Sequence, residues 1–180
     1  NSTKIQTSCG AALYNRSLQE KDPAARHNLV QQALTHLNKA IEIHPNHIAA
    51  IFYRGLCYEH LNNYDEAIRN YAAVTRLNPD YPVRVNLARA LKEVGRNNLE
   101  QKRNYQLALE YLTESWGQNR NDAECAYLLG VAHRQSGNNA EAVTWLKKAV
   151  DLDPSNTQYQ VELDAVGNAA QPAEQAEKIK

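Results

Sequence analysis

Apolar residues recur along this chain at three-and-four spacing, in short blocks separated by turn-forming residues. Ile51, Gly55 and Tyr58 share one face of a helix, and Ala67, Tyr71 and Val74 share one face of the next. Asn62-Asn63 lies between these blocks and Gly137-Asn138-Asn139 between a later pair, residues that favour turns. Pro79 and Pro154 follow the second blocks, where a residue without an amide hydrogen stops a helix. The pattern predicts an all-α chain built of helix–turn–helix hairpins.

The hairpins repeat. Gly55 is followed by Tyr58, Ala67, Tyr71, Val74 and Pro79 at offsets 3, 12, 16, 19 and 24, and Gly130 by His133, Ala142, Leu146, Ala149 and Pro154 at the same offsets. Small residues are expected where two helix backbones approach closely, with aromatic and branched side chains filling the space beside them. Tyr58, Tyr64, Tyr71 and Tyr105 occupy such framework positions. A hairpin of this kind buries its faces only against its neighbours, so an array is expected. Pro45 to Pro79 is 34 residues, one period, whereas Pro79 to Pro154 is 75, two periods plus 7. The surplus predicts a degenerate unit, with Leu87, Ala88, Leu91 and Gly95 on its first helix and Ala88 in the glycine position. Tyr105, Ala108, Leu112 and Ser115 form its second helix. Ala88 to Ala108 is 20 residues where intact units have 12, so the turn between the helices is expected to carry 8 extra. Gly10 to Ala33 is 23, which predicts 11 extra before Leu37, Ala40 and Pro45 return to pattern. Tyr159, Leu163, Val166 and Ala170 form a last stripe, with Asp164 in its glycine position, and Ala176 marks where a further helix would begin.

This 34-residue period, with Gly-x-x-Tyr, then Ala-x-x-x-Tyr, then Pro, resembles the tetratricopeptide repeat (TPR). The resemblance covers nearly the whole chain and divides residues 1–180, one array, into repeats at about 3–47, 48–81, 82–121 and 122–156. A capping helix at about 157–170 and a short tail follow. It implies a right-handed superhelical α-solenoid whose first helices line a concave face. It also implies that inward residues lie at offsets −6, −3, −2 and +1 from the glycine position. These are Lys4, Thr7, Ser8 and Ala11, then Ala49, Phe52, Tyr53 and Leu56. The third repeat adds Pro82, Val85, Asn86 and Arg89, and the fourth Glu124, Tyr127, Leu128 and Val131.

Phe52, Tyr53, Leu56, Val85, Asn86, Arg89, Tyr127, Leu128 and Val131 are therefore the candidate partner-binding set. Phe52, Tyr53 and Tyr127 are rigid side chains that bury large area at low entropic cost, the chemistry of binding anchors. Asn86 would pair with a ligand backbone, and Arg89 would take a carboxylate through its fork. The other reading is structural, with these residues packed on a neighbouring repeat or the capping helix filling the groove. Family members that clamp the C-terminal carboxylate of heat-shock chaperones carry an Asn where Tyr53 stands and a Lys where Pro82 stands, which disfavours that role. The enlarged turns, Glu20 to Asn28 and Arg96 to Asn104, should project from one edge. They are either an interaction face or extra length tolerated at small entropic cost.

Composition narrows the partners. Lys+Arg and Asp+Glu number 20 each, so the net charge is zero, without the cationic surplus that nucleic acid or anionic membrane binding needs. No apolar run approaches the roughly 18 residues of a membrane span. The charge is unevenly spread, +1 over residues 1–80, +3 over 81–120 and −4 over 121–180. The three cysteines, Cys9, Cys57 and Cys125, are far apart and read as small buried residues rather than a disulfide framework. Methionine is absent, even at position 1, which reads as a chain cut from something longer or processed.

No catalytic motif of the phosphate-loop, dinucleotide, zinc-protease or nucleophile-elbow kind is present, so neither an enzyme nor a cofactor is expected. His44 and His47 have metal-compatible spacing, with His36 and His60 as further ligands, but the set is incomplete. Asp65-Glu66 sits at a helix start, where the helix dipole accounts for it. The sequons Asn1-Ser2-Thr3 and Asn15-Arg16-Ser17 are short patterns of high chance occurrence and carry no weight.

The leading expectation is a non-catalytic protein-interaction scaffold for a peptide segment or partner protein. One alternative is an extracytoplasmic TPR domain of a larger membrane glycosyltransferase, since arrays of this kind follow the membrane portion of some such enzymes. The other is self-assembly through the C-terminal stripe Tyr159, Leu163 and Val166. The sequence leaves the compartment open.

Overall fold

The computed structural model describes the backbone of residues 2–177 and the side chains of residues 2–168. Among the described residues there are nine helices and no strand. They are α1 (Ser2–Ser17), α2 (Pro23–Ile43), α3 (Ile48–His60), α4 (Tyr64–Leu77), α5 (Arg84–Glu100), α6 (Tyr105–Gln118), α7 (Ala123–Gln135), α8 (Asn139–Leu152) and α9 (Thr157–Glu177). The chain forms two compact units, Asn1–Ala90 and Leu91–Lys180, the boundary falling within α5. None of the described helices is long and apolar enough to cross a membrane.

One contact builds the four hairpins. A methyl group added at Gly10 would lie 2.6 Å from Leu37 Cγ, and at Gly55 2.6 Å from Tyr71 Cε1. At Gly95 it would lie 2.6 Å from Leu112 Cγ, and at Gly130 2.6 Å from Leu146 Cγ. Each glycine lets the following helix approach until one large side chain rests on its backbone. Those four side chains are fully buried; shielding one from water contributes about 1.5–3 kcal/mol. Gly95, not Ala88, therefore occupies the glycine position of the third hairpin. Its spacing to Leu112 is 17, one more than Gly55 to Tyr71 or Gly130 to Leu146.

The extra residues lie in helices rather than turns. α5 has 17 residues where α3 and α7 have 13, and α2 has 21 where α4, α6 and α8 have 14. In the first hairpin Asp22 and Pro23, inside the enlarged turn expected over Glu20 to Asn28, are a helix start. Asp22 accepts hydrogen bonds from the Ala24 and Ala25 amides, and Pro23 stands at the first helical position, where its missing N–H costs nothing. Short polar turns join successive helices, with Asn63, Asn104 and Asp122 capping α4, α6 and α7 through their side chains.

In the first unit Val30, Ala33, Leu37, Ala40, Ala50 and Cys57 form a dry core among α1, α2 and α3. In the second, Ala108, Leu112, Cys125, Leu129 and Ala132 join α6 to α7. Ala142, Leu146 and Val166 join α8 to α9, and Tyr159 packs on Ala126 and Ala149. The stripe expected to remain open for a second copy is thus internal. Tyr159 and Val166 are buried and Leu163 packs beside them, because α9 lays this face on α7 and α8. Ala170, the last residue of that stripe, and Ala176 have side chains outside the described residues. Cys57 and Cys125 are buried as expected, whereas Cys9 is exposed.

Candidate functional site

The candidate residues of the first unit are largely built into its framework. Phe52 and Tyr53 on α3 meet edge to face at 5.7 Å, and Phe52 also meets Tyr81 at 5.3 Å. Tyr53 meets Tyr14 of α1 edge to face at 6.2 Å and, with Leu56, packs on the core of this unit. Arg89 is spoken for. Its Nε and Nη2 donate to the two carboxylate oxygens of Glu59, the latter bond at 3.1 Å, and Tyr71 Oη donates to Glu59 at 2.6 Å. Burial and this hydrogen bond push the Tyr71 phenol far above its usual range, so it stays neutral.

The shift of the glycine position re-registers the third hairpin. Pro82 precedes α5, and Val85 lies in its first turn, 61% exposed beside Tyr81 and Pro82, with Asn86 half-buried next to it. Counted from Gly95, the offsets −6, −3, −2 and +1 fall on Arg89, Lys92, Glu93 and Arg96. Lys92 and Arg96 are also paired. Lys92 Nζ lies 2.8 Å from Asp122 Oδ2 and 2.7 Å from Glu124 Oε2, and Arg96 Nη2 lies 2.8 Å from Glu124 Oε1. Burial pulls the Lys92 ammonium down, but its bonds to Asp122 and Glu124 outweigh this and hold it above its usual value. Burial likewise pushes the Glu124 carboxyl up, and Lys92 and Arg96 hold it below the ordinary carboxylate range. Part of the charge polarity read along the chain is therefore neutralised inside the second unit.

The candidates of the second unit are brought together. Tyr127, Leu128 and Val131 on α7 line a cavity of about 380 Å³ with Leu99, Glu100, Arg103, Tyr105 and Gln135. The last turn of α5 supplies Leu99 and Glu100 to the wall of this cavity, while the four added residues of α5 lie at its start, before Gly95. Tyr127 is a fixed wall. Its ring stacks on Tyr159 at 4.9 Å, and Gln158 Nε2 donates to its hydroxyl at 3.0 Å. Burial raises its phenol further above the physiological range. Leu128 is 3% exposed and Val131 is half-buried.

Arg103 stands at the edge of this cavity with φ of 51°, in the left-handed region. The matching turn positions, two residues before α4 and α8, hold Asn62 at 57° and Gly137 at 82°. Asn and Gly are the residues that adopt this conformation most readily, and arginine does so at a cost. Sequence reasoning missed Leu99 and Arg103 as cavity residues because it placed residues 96–104 in a loop, and Tyr105 because it assigned that residue to the framework. The repeat Leu91, Gly95, Leu99, at i, i+4 and i+8 to the end of α5, carried the signal.

The two buried cysteines, Cys57 and Cys125, are unsuited to nucleophilic chemistry. Burial pushes the Cys57 thiol up to about 12 and the Cys125 thiol up to about 11, so both are protonated at neutral pH. His36, His44, His47 and His60 do not converge on one point. His44 meets the His47 ring edge-on at 5.9 Å, while His47 Nδ1 accepts from the Ala50 amide at the start of α3. His36 Nδ1 lies 2.7 Å from Gln6 Oε1, and His60 lies edge-on to Tyr14. Among the described residues no three His, Cys, Asp or Glu side chains converge as a metal site.

Comparison with known proteins bears on the fold. Family models of the tetratricopeptide repeat match residues 48–81 and 99–163, together more than half of the chain. No curated protein matches it. Among solved structures the chain is similar to MamA from Desulfovibrio magneticus, at 21% identity and a TM-score of 0.61 over 96% of this chain and 90% of that one. A second MamA structure has 17% identity and a TM-score of 0.62, covering 98% and 87%. YrrB, described as a TPR protein with an unusual peptide-binding site, has 21% identity and a TM-score of 0.54, covering 88% and 84%. With four glycine–side-chain contacts repeating along it and family models matched over residues 48–81 and 99–163, the chain belongs to the tetratricopeptide repeat family.

Proposed function

We propose that this chain is a non-catalytic protein-interaction scaffold, and that the cavity on α7 seats an apolar side chain from a peptide segment of a partner protein. The observation that carries the reading is the convergence of Leu99, Tyr105, Tyr127, Leu128 and Val131 on one cavity, with a strained Arg103 at its edge. A volume of about 380 Å³ is within the usual range of ligand sites, about 300–1,000 Å³. Tyr127 is held by Tyr159 and Gln158 before any ligand arrives, so little ordering entropy is lost on binding. Backbone strain tends to collect at binding sites, which favours a role for Arg103 toward a ligand carbonyl or carboxylate. YrrB, of similar fold, carries a peptide-binding site.

Selection from a displayed peptide library tests this. Enriched peptides should share an apolar anchor and bind at least ten-fold more weakly to Val131→Trp, whose indole fills the cavity, while its helical circular dichroism matches wild type. Peptides that bind both proteins equally would remove the cavity from the account.

A further inference from the structure

The long α2 builds a second and chemically different cavity, within the first unit. Its first turns overhang the end of α3 and the turn that follows, enclosing about 650 Å³. Arg26, His27 and Gln31 line one side and His60, Asn62 and Asn63 the other. Among the described residues that line it none is acidic, while one is a permanent cation and two are imidazoles. We infer that this cavity is a carboxylate-binding site, which takes a Glu or Asp side chain from an acidic segment of a partner protein.

The state of Arg26 is the main argument. Its Nε and Nη2 donate to the Glu20 carbonyl at 3.0 and 2.6 Å, which locks the guanidinium in place. That acceptor is neutral, so the group is fixed without its charge being cancelled. Glu20 directs its side chain to the Lys21 and Asp22 amides, and Asp22, the nearest carboxylate in sequence, caps α2 through the Ala24 and Ala25 amides. Arg89 and Lys92, by contrast, each have their own carboxylate.

His60 registers the uncompensated charge. Tyr14 of α1 faces its ring edge-on at 6.3 Å, and Arg26 and His27 act on it from α2. Burial first, then these two neighbours, hold its imidazole below the usual value. A bound carboxylate would reverse the repulsion and favour the protonated ring, so binding takes up a proton. A single permanent cation suits a monoanionic carboxylate better than a phosphate dianion. The site shares no residue with the α7 cavity and does not depend on it.

The test uses fluorescein-labelled peptides rich in Glu, their Gln twins and their phosphoserine counterparts, titrated into the whole chain by anisotropy. The Glu peptides should bind, the Gln twins should not, and affinity should rise several-fold between pH 7.5 and 5.5. Gln31→Glu, an exposed change that adds the wrong charge, should weaken binding at least ten-fold, and His60→Gln should flatten the pH dependence. Both variants are first matched to wild type in helical circular dichroism. Equal binding of Glu and Gln peptides, indifference to Gln31→Glu, or preference for phosphoserine peptides would each overturn the assignment.

Discussion

Gly95 rests on Leu112 as Gly130 rests on Leu146, with an added methyl group 2.6 Å from the leucine Cγ in both cases. Alanine at position 95 gains about 1 kcal/mol in helix propensity. The crowding it creates against a fully buried leucine costs about 1–3 kcal/mol. Gly95→Ala is therefore expected to lower stability by about 1 kcal/mol in urea unfolding. In Gly95→Ala with Leu112→Ala the two effects should be strongly non-additive, because the second change opens the space the first needs. Simple additivity would show that the two residues do not meet.

The Lys92, Asp122 and Glu124 cluster predicts a pH window. The Glu124 carboxyl is depressed, so its contribution is complete above its unfolded value near 4.5 and is lost as pH falls through its lower folded value. The Lys92 ammonium is raised, so its contribution is complete below 10.5 and is lost as pH rises through its higher folded value. Thermal melts should show a plateau between these limits. Glu124→Gln should flatten the acid limb. Lys92→Met leaves Asp122 without its cation, while Arg96 still holds Glu124, and should cost about 3 kcal/mol at pH 7.

Arg103 occupies a left-handed turn position at φ of 51°. Arg103→Gly relieves that conformation and is expected to raise stability by about 1 kcal/mol. If Arg103 contributes to binding as proposed, the same change weakens capture of a selected peptide. A variant that is both more stable and fully competent to bind would make Arg103 an ordinary turn residue.

Tyr127 separates ring from hydroxyl. Tyr127→Phe keeps the stack on Tyr159 and gives up one hydrogen bond from Gln158, at a cost of about 1 kcal/mol. Tyr127→Ala removes the ring that three apolar clusters share and should cost about 3 kcal/mol or more. Differential scanning calorimetry distinguishes the two.

The hairpins were legible because each obeys one steric demand, a glycine beneath a large side chain, and that demand leaves Gly55 and Tyr71 at the same spacing as Gly130 and Leu146. The third hairpin was misregistered because Ala88 and Gly95 both satisfy the pattern locally, and only contact with Leu112 chooses between them. Offsets alone do not distinguish a longer helix from a longer turn, so the lengthened start of α2 and the last turn of α5, and the cavities they wall, were read as loops. Tyr127, Leu128 and Val131 were found because they sit four or fewer residues from an intact glycine position. Tyr53 was found for the same reason, but its packing on Tyr14 involves another helix and left no mark in the local sequence.

The most direct test of the α7 cavity is a nuclear magnetic resonance titration of the labelled chain with a library-selected peptide. The account predicts the largest shifts at Leu99, Tyr105, Tyr127, Leu128 and Val131, lost in Val131→Trp. Saturable shifts that leave these five residues unmoved would contradict it.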